Sequence, residues 1–163
     1  MPQSKWRKLV LGDVLDEARI HMIATAVRHG IERCKPSELP WETFPRGACG
    51  DTSLVLGQVL RDAGIGGFVY ICGNKYRTDG NPYSHGWLQN DQWVVDITAD
   101  QFAEVEQKVI VSNNSEWHKH WELERPQPSA LVDYGIQGVV HLWRLHAILT
   151  NQLKFWQVFP DNS

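Results

Sequence analysis

The sequence predicts an α+β domain, in which helices pack on an antiparallel β-sheet of three to five strands. Apolar residues recur at helical spacing in three separate stretches of the chain. Between the second and third of these, two short runs rich in aromatic and β-branched residues are separated only by Asn90 and Asp91. Runs separated by so short a link pair as a hairpin, which makes the sheet antiparallel.

Each helix and strand is predicted from its own pattern. The first helix begins at Asp13, a suitable N-cap, and keeps apolar spacing to about Cys34. The second has Cys49 in or just before its first turn, runs to Ala63 and stops at Gly64, and the last spans residues 138–153. The predicted strands are residues 65–72, 83–89, 92–98 and 108–111.

Length, charge and cysteine content limit the class of protein. With 163 residues and 42% hydrophobic content, residues 1–163 are predicted to form a single domain. The net charge of −3 predicts no affinity for nucleic acid or an anionic membrane surface. No apolar run reaches the roughly 18 residues of a membrane span, and the N-terminal segment MPQSKWRKLVLGD lacks the long apolar stretch that is typical of a secretory signal. Three cysteines without a close pair favour a reducing compartment, so the predicted location is cytoplasmic, with export without a cleavable signal as the other possibility. The oligomeric state is not predicted.

Cys49 is the candidate nucleophile. It follows the Pro45–Ala48 segment, which is rich in helix breakers, and precedes Gly50-Asp51-Thr52-Ser53, which is typical of a helix start. Unpaired N–H groups and the helix dipole stabilise a thiolate at such a position, where thiol pKa values fall to roughly 3.5–7.5. Taken alone, a cysteine at a helix end is more often a packing residue.

The predicted hairpin supplies a histidine and an aspartate. If Asn90 and Asp91 form a two-residue turn, Gln89 faces Gln92 and His85 faces Asp96. Their Cβ atoms would then lie about 5 Å apart on one face of the sheet. A slip of one residue would place them on opposite faces. Asp100 is a second candidate for the carboxylate, but it lies beyond the predicted end of the strand.

The order of these residues resembles that of the transglutaminase-like and papain-like cysteine enzymes. Those enzymes carry Cys at a helix start, then His, then Asp or Asn on following antiparallel strands. The matching segments are RGACGDTS around Cys49, SHGWL around His85 and VVDITADQF around Asp96. The last two are most similar to the transglutaminase-like branch. The resemblance covers about the middle third of the chain and implies a papain-like or transglutaminase-like core with a Cys-His-Asp catalytic triad.

Three further residues are candidates for substrate binding: Trp41, Arg46 and Trp87. The loop before Cys49 carries prolines and aromatic residues and is predicted to form one wall of a cleft or to cap the core. No Gln shortly precedes Cys49, although papain-like enzymes supply an oxyanion donor from that position. Trp41, Arg46 or backbone amides would have to stabilise the oxyanion instead.

The remaining histidines give weaker signals. His118 and His120 lie between Trp117 and Trp121, but a metal site there would need ligands that are not near in sequence. No metal site is predicted, and no dinucleotide-binding glycine motif is present.

The resemblance implies a thiol-dependent amide hydrolase or acyltransferase that acts on a protein or peptide through a thioester on Cys49. His85 would serve as base and then as acid, with Asp96 orienting its imidazole. Peptidase, deamidase, transglutaminase and N-acyltransferase activities stay open, because they differ only in acceptor and cleft shape. No cofactor is expected for any of them. The alternatives are a non-catalytic protein-binding module with the same fold and, less favoured, a wholly structural protein.

Overall fold

The computed structural model describes residues 3–155, and it describes side chains from residue 16 to residue 152. The chain combines α-helices with an antiparallel sheet, which confirms the predicted α+β class. The helices are α1 (Gln3–Arg33), α2 (Cys49–Asp62), α3 (Glu116–Lys119) and α4 (Ile136–Phe155). The strands are β1 (Val69–Tyr76), β2 (Pro82–Gln89), β3 (Val94–Asp96), β4 (Ile110–Ser112), β5 (Glu122–Leu123) and β6 (Gln127–Pro128).

Helices α1, α2 and α4 enclose the main core. The helix α1 begins ten residues before the predicted Asp13, so Asp13 lies inside the helix and is not its N-cap. Its buried side chains recur every three or four residues, as the sequence predicts. Helix α2 ends at Asp62, and Gly64 follows with a φ of 76°, a left-handed conformation that glycine adopts without strain. Among residues 3–155, no helix has both the length and the apolar character needed to span a membrane. The buried α1 residues are Ile20, Ile23, Ala24, Val27 and Ile31.

The sheet has six antiparallel strands in the order β4-β3-β2-β1-β5, with β6 also pairing with β1. The prediction of three to five strands was too low because β5 and β6 are only two residues long. Side chains alternate across the sheet, so Leu88 faces the helices while Trp87 faces a second, smaller cluster with Ile71 and Trp121. The sheet therefore has apolar packing on both faces.

The turn between β2 and β3 differs from the predicted two-residue turn. Gln89 pairs with Val94 and not with Gln92, so the predicted register was wrong by two residues. The Asn90 side chain accounts for the longer loop, because its Oδ1 accepts hydrogen bonds from the N–H groups of Gln92 (2.9 Å) and Trp93 (2.6 Å). Since side chains alternate with a period of two, this shift leaves His85 and Asp96 on the same face. They lie diagonally and not directly opposite each other.

A buried ion pair fixes the segment that follows β3. The Arg28 guanidinium on α1, only 2% exposed, binds both carboxylate oxygens of Asp100 at 2.7 Å. The same group donates a 2.6 Å hydrogen bond to the carbonyl of Ile97. Arg28 thus holds the short 3-10 turn at Ala99–Gln101 against the first helix. Both Asp100 oxygens are therefore bonded to Arg28, and Asp100 is not the carboxylate that orients His85.

Candidate active site

Cys49 is the first residue of α2, as predicted. The segment before it closes with a turn in which Ala48 N–H donates to the Pro45 carbonyl at 3.2 Å. The Thr52 and Ser53 hydroxyls donate to the carbonyls of Ala48 and Cys49, each at 2.7 Å. These bonds fix the first turn of the helix. The thiol of Cys49 is half-buried, so it stays accessible from one side.

The Cys49 thiol lies against strand β2. The His85 imidazole and the Gly86 backbone are close enough to this thiol to lower its pKa. Burial raises the pKa of this thiol, but the hydrogen bond and charge of His85, together with the Gly86 backbone, outweigh it. The net effect is a pKa lowered from the ordinary thiol value. Cys49 therefore has the electrostatic surroundings of a reactive cysteine.

His85 is fully buried and held through both ring nitrogens. Its Nε2 lies 2.6 Å from Asp96 Oδ2, and its Nδ1 lies 3.2 Å from the Gln101 amide nitrogen. Burial lowers the pKa of the imidazole, but the charge and hydrogen bond of Asp96 and the contact with Cys49 raise it to about 9. At neutral pH the cationic form of His85 is favoured, which stabilises a thiolate beside it.

Asp96 is the centre of a buried polar cluster. Its Oδ2 accepts hydrogen bonds from His85 and, at 3.0 Å, from His118 Nε2. Its Oδ1 accepts from the Thr98 N–H at 2.8 Å and the Thr98 hydroxyl at 3.3 Å. Burial raises the pKa of the carboxyl, but the His85 charge and the bonds from both histidines hold it well below its usual range. Asp96 is thus a buried carboxylate whose charge is met by four donors.

His118 is a member of this cluster that the sequence did not identify. Its Nδ1 lies 2.6 Å from the Ser115 hydroxyl, which leaves Nε2–H to donate to Asp96. Its ring packs edge-on against Trp87 (4.7 Å between centroids) and Trp117 (4.8 Å), and it is 3% exposed. The only signal in the sequence was a run of tryptophan and histidine residues. The long-range contact with Asp96 could not be inferred from that run.

The cluster also contains the atoms with which a metal ion could be bound. One ligand atom each from His85, Asp96 and His118 lie within 4.8 Å of one another. Both histidines, however, direct Nε2 at the same carboxylate oxygen, at hydrogen-bonding distances of 2.6 and 3.0 Å. A metal ion would have to replace both bonds. The geometry therefore fits a hydrogen-bonded cluster of these three side chains better than a metal site.

The three predicted substrate-binding residues lie in different surroundings. Trp41 is half-buried, and its indole N–H donates to Asp51 Oδ2 on the first turn of α2 at 3.1 Å. Arg46 is exposed in the loop just before Cys49. Trp87 is fully buried beneath His85 and His118, where a substrate has no access to it. Its predicted contact with substrate does not fit this buried position.

The fold and the site together define an α+β protein with an accessible thiol at a helix start beside a buried His-Asp-His cluster. Comparison with protein-family models, with curated proteins and with solved structures gives no match for this chain. The assignment of function therefore rests on the chemistry of these side chains.

Proposed function

We propose that this protein is a thiol-dependent amide hydrolase or acyltransferase of the transglutaminase-like or papain-like kind, with Cys49 as nucleophile. The observation that supports this most is the contact of a half-buried thiol with a histidine whose other nitrogen is held by a buried carboxylate. A nucleophile, a base and an orienting acid in this order are what covalent acyl transfer requires. The choice of a protein or peptide as substrate follows from the resemblance alone.

The reaction would proceed in two halves. His85 takes the Cys49 proton on Nδ1, since Nε2 is bonded to Asp96, and the Gln101 amide gives up its contact with Nδ1 when this proton arrives. The thiolate attacks the amide carbon, the C–N bond breaks, and His85 returns the proton to the leaving nitrogen. Water or an amine then attacks the thioester, gives a proton to His85 and displaces the sulfur as a thiolate, which restores the thiolate-imidazolium pair. Asp96 stays ionised throughout and stabilises the imidazolium.

Gln101 would regulate access to His85 Nδ1. Its amide nitrogen donates to the Thr98 carbonyl at 3.0 Å and approaches Nδ1 at 3.2 Å. Only a neutral imidazole can accept this second bond, because a protonated Nδ1 is itself a donor. Formation of the thiolate-imidazolium pair therefore releases one N–H of Gln101. If the Gln101 amide stayed bonded to Nδ1, His85 could not accept the Cys49 proton. That behaviour would favour the second candidate function, a non-catalytic protein-binding module.

An electrophilic active-site probe separates these two functions. We expect iodoacetamide to label Cys49 in the native protein at neutral pH, and the variant Cys49→Ala to lose this label while its circular dichroism stays unchanged. Cys72→Ala is the matched control, since burial first, and then nearby charges, raise the pKa of the Cys72 thiol. Equal total labelling of the native protein and Cys49→Ala, with the label located on Cys34 or Cys72 by peptide mass spectrometry, would refute Cys49 as the nucleophile.

The three thiols of the chain are all free, and this agrees with the proposal of a cytoplasmic location.

A further inference from the structure

Tyr70 lies across the open side of the candidate site. It is half-buried on β1, where Tyr70 pairs with Leu88 and Cys72 pairs with Gly86, so Tyr70, Cys72 and Gly86 share one face of the sheet. The Tyr70 ring covers Gly86 so closely that a Cβ there would come within 2.7 Å of the ring carbon Cζ. Its hydroxyl lies 3.4 Å from the position of a Cβ on Gly50. The phenol thus reaches the first turn of α2, next to Cys49.

The surroundings keep this phenol protonated. Burial raises the pKa of Tyr70, and the nearby thiols of Cys49 and Cys72 raise it further. An acceptor near this hydroxyl is the Cys72 sulfur, which is a weak one. A stronger acceptor beside Cys49, such as an oxyanion, could attract the hydroxyl proton instead by a simple rotation about the C–O bond.

The predicted oxyanion donors are less well placed. The Trp41 indole N–H is bonded to Asp51 Oδ2 at 3.1 Å, and Arg46 is an exposed side chain of the preceding loop. His85, Asp96 and His118 are buried, so a substrate must approach Cys49 from the side on which the thiol and Tyr70 are accessible. Tyr70 is therefore the neutral side-chain donor beside the reacting sulfur.

We infer that Tyr70 is a catalytic residue that donates a hydrogen bond to the oxyanion of the tetrahedral intermediate on Cys49. This inference rests on the function proposed above. As the S–C bond forms, the carbonyl π pair moves to oxygen, which accepts bonds from the Tyr70 hydroxyl and from backbone N–H groups at the start of α2. The Tyr70 proton is not transferred. When the C–N bond breaks, the carbonyl is restored and the hydroxyl returns to Cys72.

Two reagents separate this role from the reactivity of the thiol itself. Acylation of Cys49 by p-nitrophenyl acetate passes through an oxyanion, whereas alkylation by iodoacetamide does not. We expect Tyr70→Phe to slow the burst of p-nitrophenol by about 10²-fold, the cost of removing one such donor. Alkylation should stay within about twofold of the native rate, since the thiolate keeps its bonds to His85 and Gly86. The ring that covers Gly86 is retained in Tyr70→Phe, and thermal unfolding checks the fold.

Tyr76→Phe is the control for this variant. It removes a hydroxyl from a tyrosine on the same strand that is 65% exposed, and it should acylate like the native protein. An equal burst in Tyr70→Phe and the native protein would overturn the inference and leave the proposed function intact. Loss of acylation and alkylation together would also overturn it, because that result marks a general disturbance of the site. A native protein that is alkylated but never acylated would refute acyl transfer itself.

Discussion

Replacement of Asp96 by alanine should lower the free energy of unfolding by about 3–5 kcal/mol, the cost of breaking a buried charge cluster from one side. Two buried histidines would lose their shared acceptor, and the Thr98 N–H would lose its partner. Urea denaturation followed by circular dichroism measures the effect. The variant should also fail to react with iodoacetamide at neutral pH, because His85 would lose the charge that raises its pKa.

The control for this experiment is Asp91→Ala, an exposed aspartate in the turn between β2 and β3. It should change the free energy of unfolding by less than about 0.5 kcal/mol, as surface substitutions usually do. Asp96→Asn tests the role of charge at nearly constant volume. If Asp96→Ala proved as stable as Asp91→Ala, the carboxylate would not be the centre of the buried cluster that we describe.

Replacement of His85 by alanine should slow alkylation of Cys49 at pH 7 by about tenfold or more, the effect of a rise of one pKa unit in a thiol that titrates above pH 7. The hydrogen bond and charge of His85 lower the pKa of the thiol, and without them burial raises it. A thiol with an ordinary pKa of about 8.5 is only about 3% ionised at pH 7, and a buried one is ionised less. The rate of iodoacetamide incorporation at Cys49, measured by peptide mass spectrometry, reports this directly.

His85→Gln retains most of the side-chain volume and separates the loss of charge from the opening of a cavity. His120→Ala is the matched control, because His120 lies just after α3, is exposed and is bonded to the Glu116 carbonyl. We expect His120→Ala to be alkylated at the native rate. A native rate in His85→Ala would mean that the imidazole does not activate the thiol.

Local patterns in the sequence were sufficient to predict that Cys49 lies at the start of a helix and that His85 and Asp96 share one face of the sheet. The helix start at Cys49 follows from the breakers before it and the Asp-Thr-Ser run after it. The hairpin follows from alternating bulky residues around Asn90 and Asp91. The predicted register was wrong by two residues. In the sequence, an Asn that caps a four-residue loop looks the same as an Asn in a two-residue turn. The error left the faces unchanged, since a strand repeats every two residues.

The contacts that the sequence could not predict are those between distant segments. His118 reaches Asp96 from a four-residue helix, and Tyr70 reaches the start of α2 only because β1 pairs with β2 in a particular register. Arg28 binds Asp100, 72 residues away in the sequence. No local periodicity specifies such pairs. Because Arg28 binds Asp100, the carboxylate that is hydrogen-bonded to His85 is that of Asp96. The position of His118 also places its ring against the buried Trp87.

The pH dependence of alkylation at Cys49 tests the central claim most directly. In the native protein the iodoacetamide rate should follow a pKa below the ordinary thiol value of about 8.5, since the His85 charge and hydrogen bond favour the thiolate. His85 itself should stay protonated up to about pH 9, so its charge should support the thiolate across neutral pH. A rate at Cys49 that rises only with a pKa of about 8.5 or above would contradict the thiolate-imidazolium pair.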